Sequence, residues 1–314
     1  MNNNILHQVP SASKIKREIK KIVFGKILFC PRCGSPQVKP QEKRYRCRLC
    51  RRPFSLTSVT WLKGMKLPFE TFWLLLWCWT NKVSIEQAMK LCGVSKPTTR
   101  RWYGKFRAHL PQDKIDDITL SGVVQMDEAY RGGKQRGYSI IGAKEEKRPG
   151  HKSKLVLRVI DKPSVDRQDA VSFLAQHIEP DSKLQTDGAS IYKGIRNWWR
   201  VDHEYERHNR WEFALTSEIE GLWGTFTTFI KRMYHHVTRE EIIPVTREFV
   251  ARMMYPEWFD TPNSYLVIAI QPIARPVRKE WRGQYQKKQL KIPTLKTSNS
   301  PVIFLPNRLS PVPS

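Results

Sequence analysis

The sequence predicts a mixed α/β core preceded by two smaller modules, one held by cysteines and one helical. Three observations predict it. Apolar runs around residues 123–129, 139–142 and 155–160, and the run ending at Asp187, have strand length and are separated by turn-rich or helical segments. Two Cys-x-x-Cys pairs stand near the start. Between those pairs and the first strand, large apolar residues recur at helical spacing.

At 314 residues the chain has room for one sizeable core and one or two modules. Lys and Arg total 55 against 29 Asp and Glu, a formal net charge of +26, with a pI near 10.0. The charge is spread through the modules rather than gathered on one amphipathic helix. A polyanion such as nucleic acid is therefore the expected partner, in preference to a membrane surface. Residues 1–13 are polar and lack an apolar core, and the apolar run 72–79 is shorter than the roughly 20 residues that a bilayer span needs. A cytoplasmic protein is expected.

Residues 1–24 read as an N-terminal tail. Residues 25–62 hold Cys30-Pro31-Arg32-Cys33 and, after thirteen intervening residues, Cys47-Arg48-Leu49-Cys50. Four thiolates at this separation can present themselves tetrahedrally to one structural zinc, as in a zinc ribbon. Gly34 permits the turn after the first knuckle, and Tyr45-Arg46-Cys47 reads as a strand entering the second. A cytoplasmic setting disfavours the alternative of two disulfides. Cys78 and Cys92 lie in apolar helical patterns and read as buried core thiols.

Over residues 66–110 the pattern is helical, with Phe69, Phe72, Trp73, Leu76 and Trp77 at helix spacing. Ser84 caps a helix that buries Ile85, Ala88 and Met89; Gly93 allows a tight turn, and Ser95 with Pro97 opens the next helix. This is a helix-turn-helix-like arrangement. Thr98, Thr99, Arg100, Arg101 and Lys105 on its second helix read as exposed DNA contacts. An ordinary helical hairpin packed on the core is the competing reading.

The core is expected over residues 118–256. A strand at 123–129 leads into the Gly-rich basic loop at 131–137, then strands at 139–142 and 155–160, a helix at 168–176, and the strand ending at Asp187. A hairpin first and a helix–strand unit after it fit a ribonuclease-H-like fold. Such sheets place their sites beyond strand ends, where both Asp127 and Asp187 fall. In the helical stretch 217–234, Glu220 shares a stripe with Trp223 and Thr227, beside the apolar stripe of Ile219, Leu222, Phe226 and Ile230. Glu218 lies about 160° round the helix from it. Two strand-end aspartates and a helical glutamate that converge would make a cage of hard oxygen ligands for two divalent cations, Mg²⁺ or Mn²⁺. Lys231 and Arg232, near the end of that helix, read as further DNA contacts. Gly132, Gly133 and Lys134 read either as a phosphate-binding element or as a flexible turn, and residues 270–314 as a basic, disordered tail.

Over roughly residues 25–255 the chain resembles the DDE transposases of bacterial insertion sequences, in the subgroup with an N-terminal zinc ribbon. The doubled Cys-x-x-Cys carries the resemblance, with Met126-Asp127-Glu128-Ala129-Tyr130, Gly132-Gly133, Thr186-Asp187-Gly188 and Tyr192. It continues through Ile219-Glu220-Gly221-Leu222-Trp223 and Tyr234-His235-His236-Val237. The resemblance implies that Asp127 and Asp187 are the first two metal ligands and that the third lies in the segment 218–220. Many members carry Asn three positions before the matched glutamate and Lys seven after it, where this chain has Ser217 and Thr227. Glu220 and Glu218 therefore both stand as the third ligand, with Lys231 as a downstream cation. The implied activity is cleavage at element ends and joining of the 3′-hydroxyls to target double-stranded DNA, by a homodimer or higher oligomer. A non-catalytic zinc-ribbon regulator, or a nuclease that cuts without joining, are the alternatives.

Overall fold

A computed structural model describes residues 9–42, 44–131, 137–206 and 216–276. The segment expected as an N-terminal tail is largely a helix, α1 (Ala12–Phe24), with Ile15, Ile19, Val23 and Phe24 buried on one side. A repeat of four under a run of lysines hides that face from a composition-based reading. The backbone N–H of Ala12, at the helix start, donates to the Glu70 carboxylate at 2.7 Å.

Next come β1 (Val38–Gln41), β2 (Arg44–Cys47) and β3 (Pro53–Phe54), a three-stranded antiparallel sheet in that order. Phe54 stacks on Tyr45 and meets Phe24 of α1, whose ring is also edge-on to Phe29. Residues 271–276 return across this region: Ile273 N–H donates to Val23 O, and Arg275 Nε donates to Gly34 O beside the first cysteine pair. Part of the expected C-terminal tail is therefore packed structure; residues 277–314 lie outside the described residues.

The helical module is α2 (Phe69–Thr80), α3 (Ile85–Cys92) and α4 (Lys96–Ala108). Ser84 and Ser95 cap α3 and α4 by accepting from the N–H of Gln87 and Thr98. Gly93 ends α3 in the left-handed region, φ 62°, which a residue with a side chain seldom enters. The module's aromatic core is completed from outside it. Trp61 packs on Trp102, Phe106 and His109, and Tyr265 on Trp79 and Phe106.

After the short α5 (Gln112–Asp116), five strands make the larger sheet: β4 (Val123–Arg131), β5 (Tyr138–Glu145), β6 (Leu155–Ile160), β7 (Ser182–Asp187) and β8 (Val201–Glu206). Their order is β6-β5-β4-β7-β8. The first three are antiparallel neighbours, while β7 is parallel to β4 and β8 to β7. Helix α6 (Arg167–His177) connects β6 to β7. Helix α7 (Ser217–Met233) lies over β4 and β5, α8 (Arg239–Met254) packs on β6, and α9 (Pro262–Ala269) closes the helical module. Among the described residues no helix is long and apolar enough to cross a membrane.

The helical module and the sheet domain are joined by buried charge. Glu248 of α8, fully buried, accepts from Arg252 Nε at 2.9 Å and from Tyr234 Oη at 2.6 Å, and Arg107 Nη1 of α4 stands 3.7 Å away. Arg252 also donates to the Trp79 and Thr80 carbonyls at the end of α2. Removing one partner of such a set leaves uncompensated charge out of reach of water. Glu248→Ala is expected to lower unfolding free energy by about 3–5 kcal/mol, read by urea denaturation. A loss below about 1 kcal/mol, the scale of an exposed ion pair, would show that this network does not join the modules.

Candidate active site and metal centre

The acidic site starts from strand register. Val123, Val124 and Gln125 of β4 face Lys183, Leu184 and Gln185 of β7, an offset of 60 residues. Asp127 and Asp187 each lie two residues past the last paired position, on neighbouring parallel strands. Their 60-residue separation in sequence is the offset between the two strands. The Asp127 carboxyl is held above the ordinary aspartate range, first by burial and then by the charges of Asp187 and Glu220. Asp127 thus feels both of the other carboxylates.

Gln125 anchors to β4 the start of α7, which carries Glu218 and Glu220. It is buried at the same face of β4 as Asp127, and its Oε1 accepts from the backbone N–H of Glu218 and Ile219 at 3.0 and 3.1 Å. A strand side chain thereby satisfies two of the free N–H groups at the start of α7. Glu220 is exposed, and its carboxylate accepts from Thr216 Oγ1. Glu218 points elsewhere: Lys144 Nζ lies 2.6 Å from its Oε2, and the Lys147 N–H also donates to it. Burial works to raise the Glu218 carboxyl, but these bonds outweigh it and hold it below the usual glutamate value. Among the described residues no ion pair joins Asp127, Asp187 or Glu220 to a cation. An unpaired carboxylate set in part-buried surroundings has the donor chemistry that hard divalent cations take. Its oxygens are not drawn together to the 4.8 Å mutual spacing that the cysteine sulfurs reach.

Two residues of this site were not singled out as site residues by sequence. Gln125 was visible only as a polar position inside an apolar strand. Glu128, on the opposite face of β4 from Asp127, accepts from the Tyr192 and Tyr130 hydroxyls. Tyr192 sits in a turn of 3-10 helix just after Asp187, so its bond ties the end of β4 to the segment following β7. Burial raises the Glu128 carboxyl, with the charges of Asp127 and Asp187 adding to it and the two tyrosine bonds opposing.

The cysteine cluster is compact. The sulfurs of Cys30, Cys33, Cys47 and Cys50 all lie within 4.8 Å of one another, with Cys30–Cys50 and Cys33–Cys47 each at 3.6 Å. Four thiolates about 2.3 Å from a tetrahedral zinc would stand roughly 3.8 Å apart, so the set fits that ion. Cys78 is buried in the core as expected, while Cys92, 4.0 Å from it between α2 and α3, is only half-buried against that core.

The expected DNA contacts on α4 divide. Thr99 is fully buried and donates its hydroxyl to Ser95 O, so it cannot meet DNA, which corrects the sequence reading. It shares a face with Trp102, Tyr103 and Phe106, at helix spacings of three, four and seven. Thr98 is half-buried beside the cap, where its Oγ1 accepts from Ser95 Oγ. Arg100 stands 3.8 Å from Glu241. Lys105 lies over the Trp102 ring, and Arg101 is exposed. Lys231 and Arg232 are exposed in the last turn of α7. The basic glycine loop, Gly132, Gly133 and Lys134, lies outside the described residues.

The sheets, the helices and the cysteine cluster together define a mixed α/β protein whose cysteines fit a zinc ribbon; Asp187 ends β7 as expected, whereas Asp127 lies within β4. Residues 119–244, which contain Asp127, Asp187, Glu218 and Glu220, match the model of the ISXO2-like transposase domain family. The resemblance read from the motifs therefore holds across this segment. No curated protein matches the chain. Among solved structures, a chain of a simian T-cell lymphotropic virus intasome in complex with PP2A regulatory subunit B56 gamma is similar at 10% identity and a TM-score of 0.32. That likeness covers 73% of this chain and 80% of the other, and is too low to bear on chemistry.

Proposed function

We propose that the chain is a transposase that binds insertion-sequence ends, cleaves DNA there and joins the freed 3′-hydroxyls to target DNA by transesterification. The observation that carries this reading is the set of Asp127, Asp187 and Glu220 on two register-matched strands and α7, within a segment that matches a transposase domain. The sheet order, three antiparallel strands followed by two parallel ones, supports a ribonuclease-H-like domain over residues 118–256. Residues 25–62 would be the zinc ribbon and 66–110 the DNA-binding helical module. When bound, two Mg²⁺ or Mn²⁺ ions supply Lewis-acid stabilisation and lower the pKa of the attacking hydroxyl. Asp127, Asp187 and Glu220 would hold them, and their negative charge keeps DNA phosphate away until they are loaded. Water attacks first at the element end; the 3′-hydroxyl so released then attacks a target phosphodiester, displacing another 3′-oxygen. No side chain need form a covalent bond to DNA.

Glu220 is assigned as the third acid because Glu218 is already committed to Lys144. In a cleavage assay on a labelled end substrate in Mg²⁺, Glu220→Gln is expected to lose cutting and Glu218→Gln to retain it. The reverse result would move the ligand to Glu218. A parent protein that cuts no end substrate under these conditions counts against the enzyme reading as a whole.

Arg101 and Arg100 give a finer test of the helical module. Arg101→Ala is expected to weaken DNA binding and reduce the salt slope by about 1, since each phosphate contact releases counterions. Arg100→Ala should weaken it less, because Glu241 already partners that side chain. Fluorescence anisotropy at two salt concentrations measures both, and equal parental affinity for Arg101→Ala would remove α4 from the interface.

A further inference from the structure

One row of the large sheet runs across three strands: Asp127 of β4 faces Gly142 of β5, which faces Leu157 of β6. Side chains of such partners rise from the same face, the face over which α7 lies. Gly142 leaves a notch in that row, and the indole of Trp223 fills it. A Cβ built on Gly142 would stand 2.8 and 2.9 Å from Trp223 Cη2 and Cζ2, and 2.7 Å from Leu157 Cδ2. Lying there, Trp223 donates its Nε1–H to Asp127 Oδ2 at 2.9 Å. Residue 223 is one turn on from Glu220, so a single helix face carries both the acid and the side chain that reaches Asp127.

We propose that Trp223, admitted by the missing side chain of Gly142, is the positioning residue for Asp127. Its N–H holds Oδ2 and so restricts rotation of the carboxylate. This inference rests on the reading of Asp127 as a divalent-cation ligand given above. A carboxylate free to rotate must be ordered as it takes up an ion, whereas one already held loses less freedom on binding; partners of metal ligands act in this way. Leu157 ends in a flexible branch that can turn aside, but the indole cannot shift without stretching its bond to Asp127. Gly142 is thus a space requirement set by Trp223.

The test is titration of the zinc-loaded full chain with Mn²⁺ alone, by calorimetry, beside the Mg²⁺ dependence of end cleavage and a thermal melt. Trp223→Phe keeps an aromatic ring but has no N–H. It is expected to weaken Mn²⁺ binding by about tenfold, the lower end for loss of a ligand's supporting partner. The Mg²⁺ concentration for half-maximal cleavage should rise in step, with cutting recovered at high Mg²⁺. A merely structural loss would lower cutting at every Mg²⁺ concentration and would overturn the inference. Gly142→Ala is expected to reproduce the Trp223→Phe defect. Added to Trp223→Phe, which lacks the two crowded atoms, it should cost less than about a further twofold, as residues acting through one contact are not additive. Full additivity, or parental Mn²⁺ affinity in Trp223→Phe while Asp127→Asn has lost it, overturns the inference and leaves the reading of Asp127 standing. Parental Mn²⁺ affinity in Asp127→Asn overturns both.

Discussion

Asp127→Asn and Asp187→Asn are each expected to abolish DNA cleavage and joining while leaving DNA affinity equal or slightly raised. The physical reason is a division of labour between charge and chemistry. The amide keeps the size of the side chain and its place on the strand, but it removes the anionic oxygen that a divalent cation needs. Loss of a single preorganised electrostatic group costs about 10²–10³ in rate, and a ligand shared by two ions should cost at least that. Removing negative charge beside the DNA path relieves repulsion of phosphate, so binding does not suffer. Cleavage of a labelled end substrate in Mg²⁺, beside a binding titration at fixed salt, separates the two effects. Variants that cut like the parent would remove Asp127 and Asp187 from the chemistry.

The second large effect is expected at the cysteines. Purified protein should hold about one zinc per chain, and Cys30→Ser with Cys47→Ser should release it. Structural zinc contributes on the order of 10–16 kcal/mol to the folding of small zinc modules, far more than the three short strands can replace. The damage should not stop at the ribbon. Phe24 packs on both Phe29 and Phe54, and Arg275 is bonded to Gly34 next to Cys33, so α1 and the returning segment share the ribbon's surroundings. Elemental analysis and proteolysis of both forms check this. A metal-free protein whose residues 9–62 resist protease as the parent does would contradict it.

Much of the segment 118–256 is legible in the sequence because its elements have strong periodicity. The strand expected at 155–160 is β6 (Leu155–Ile160), the helix expected at 168–176 lies within α6, and the helix expected at 217–234 coincides with α7 to one residue. Asp187 ends β7 as read, whereas Asp127 is followed by four more residues of β4. The sequence does not mark the edge strand β8, since of residues 201–205 only Val201 is buried and the stretch carries no apolar run. The sequence does not mark helix α8, because Pro244 lies inside it and its buried Glu248 and Arg252 are of residue types usual at a surface. Thr99 was misread by residue type, though its spacing to Trp102 and Phe106 already put it on the buried face. What no sequence pattern carried was contact across the chain: Gln125 with the start of α7, Glu128 with Tyr192, and Trp223 with Asp127 over Gly142. Such contacts depend on strand register, which a single sequence specifies only when paired residues are known.

The central claim, that this chain joins DNA as well as cutting it, is tested most directly by a strand-transfer assay. A duplex carrying the element end, labelled at its 5′ terminus and already recessed to a 3′-hydroxyl, is incubated with the protein, a target plasmid and Mg²⁺. The account predicts labelled end covalently joined to plasmid, with none formed by Asp127→Asn or when the terminal 3′-hydroxyl is replaced by hydrogen. Cutting of an uncut end without any joined product would contradict it in favour of a nuclease, and binding with neither cutting nor joining would contradict it in favour of a regulator.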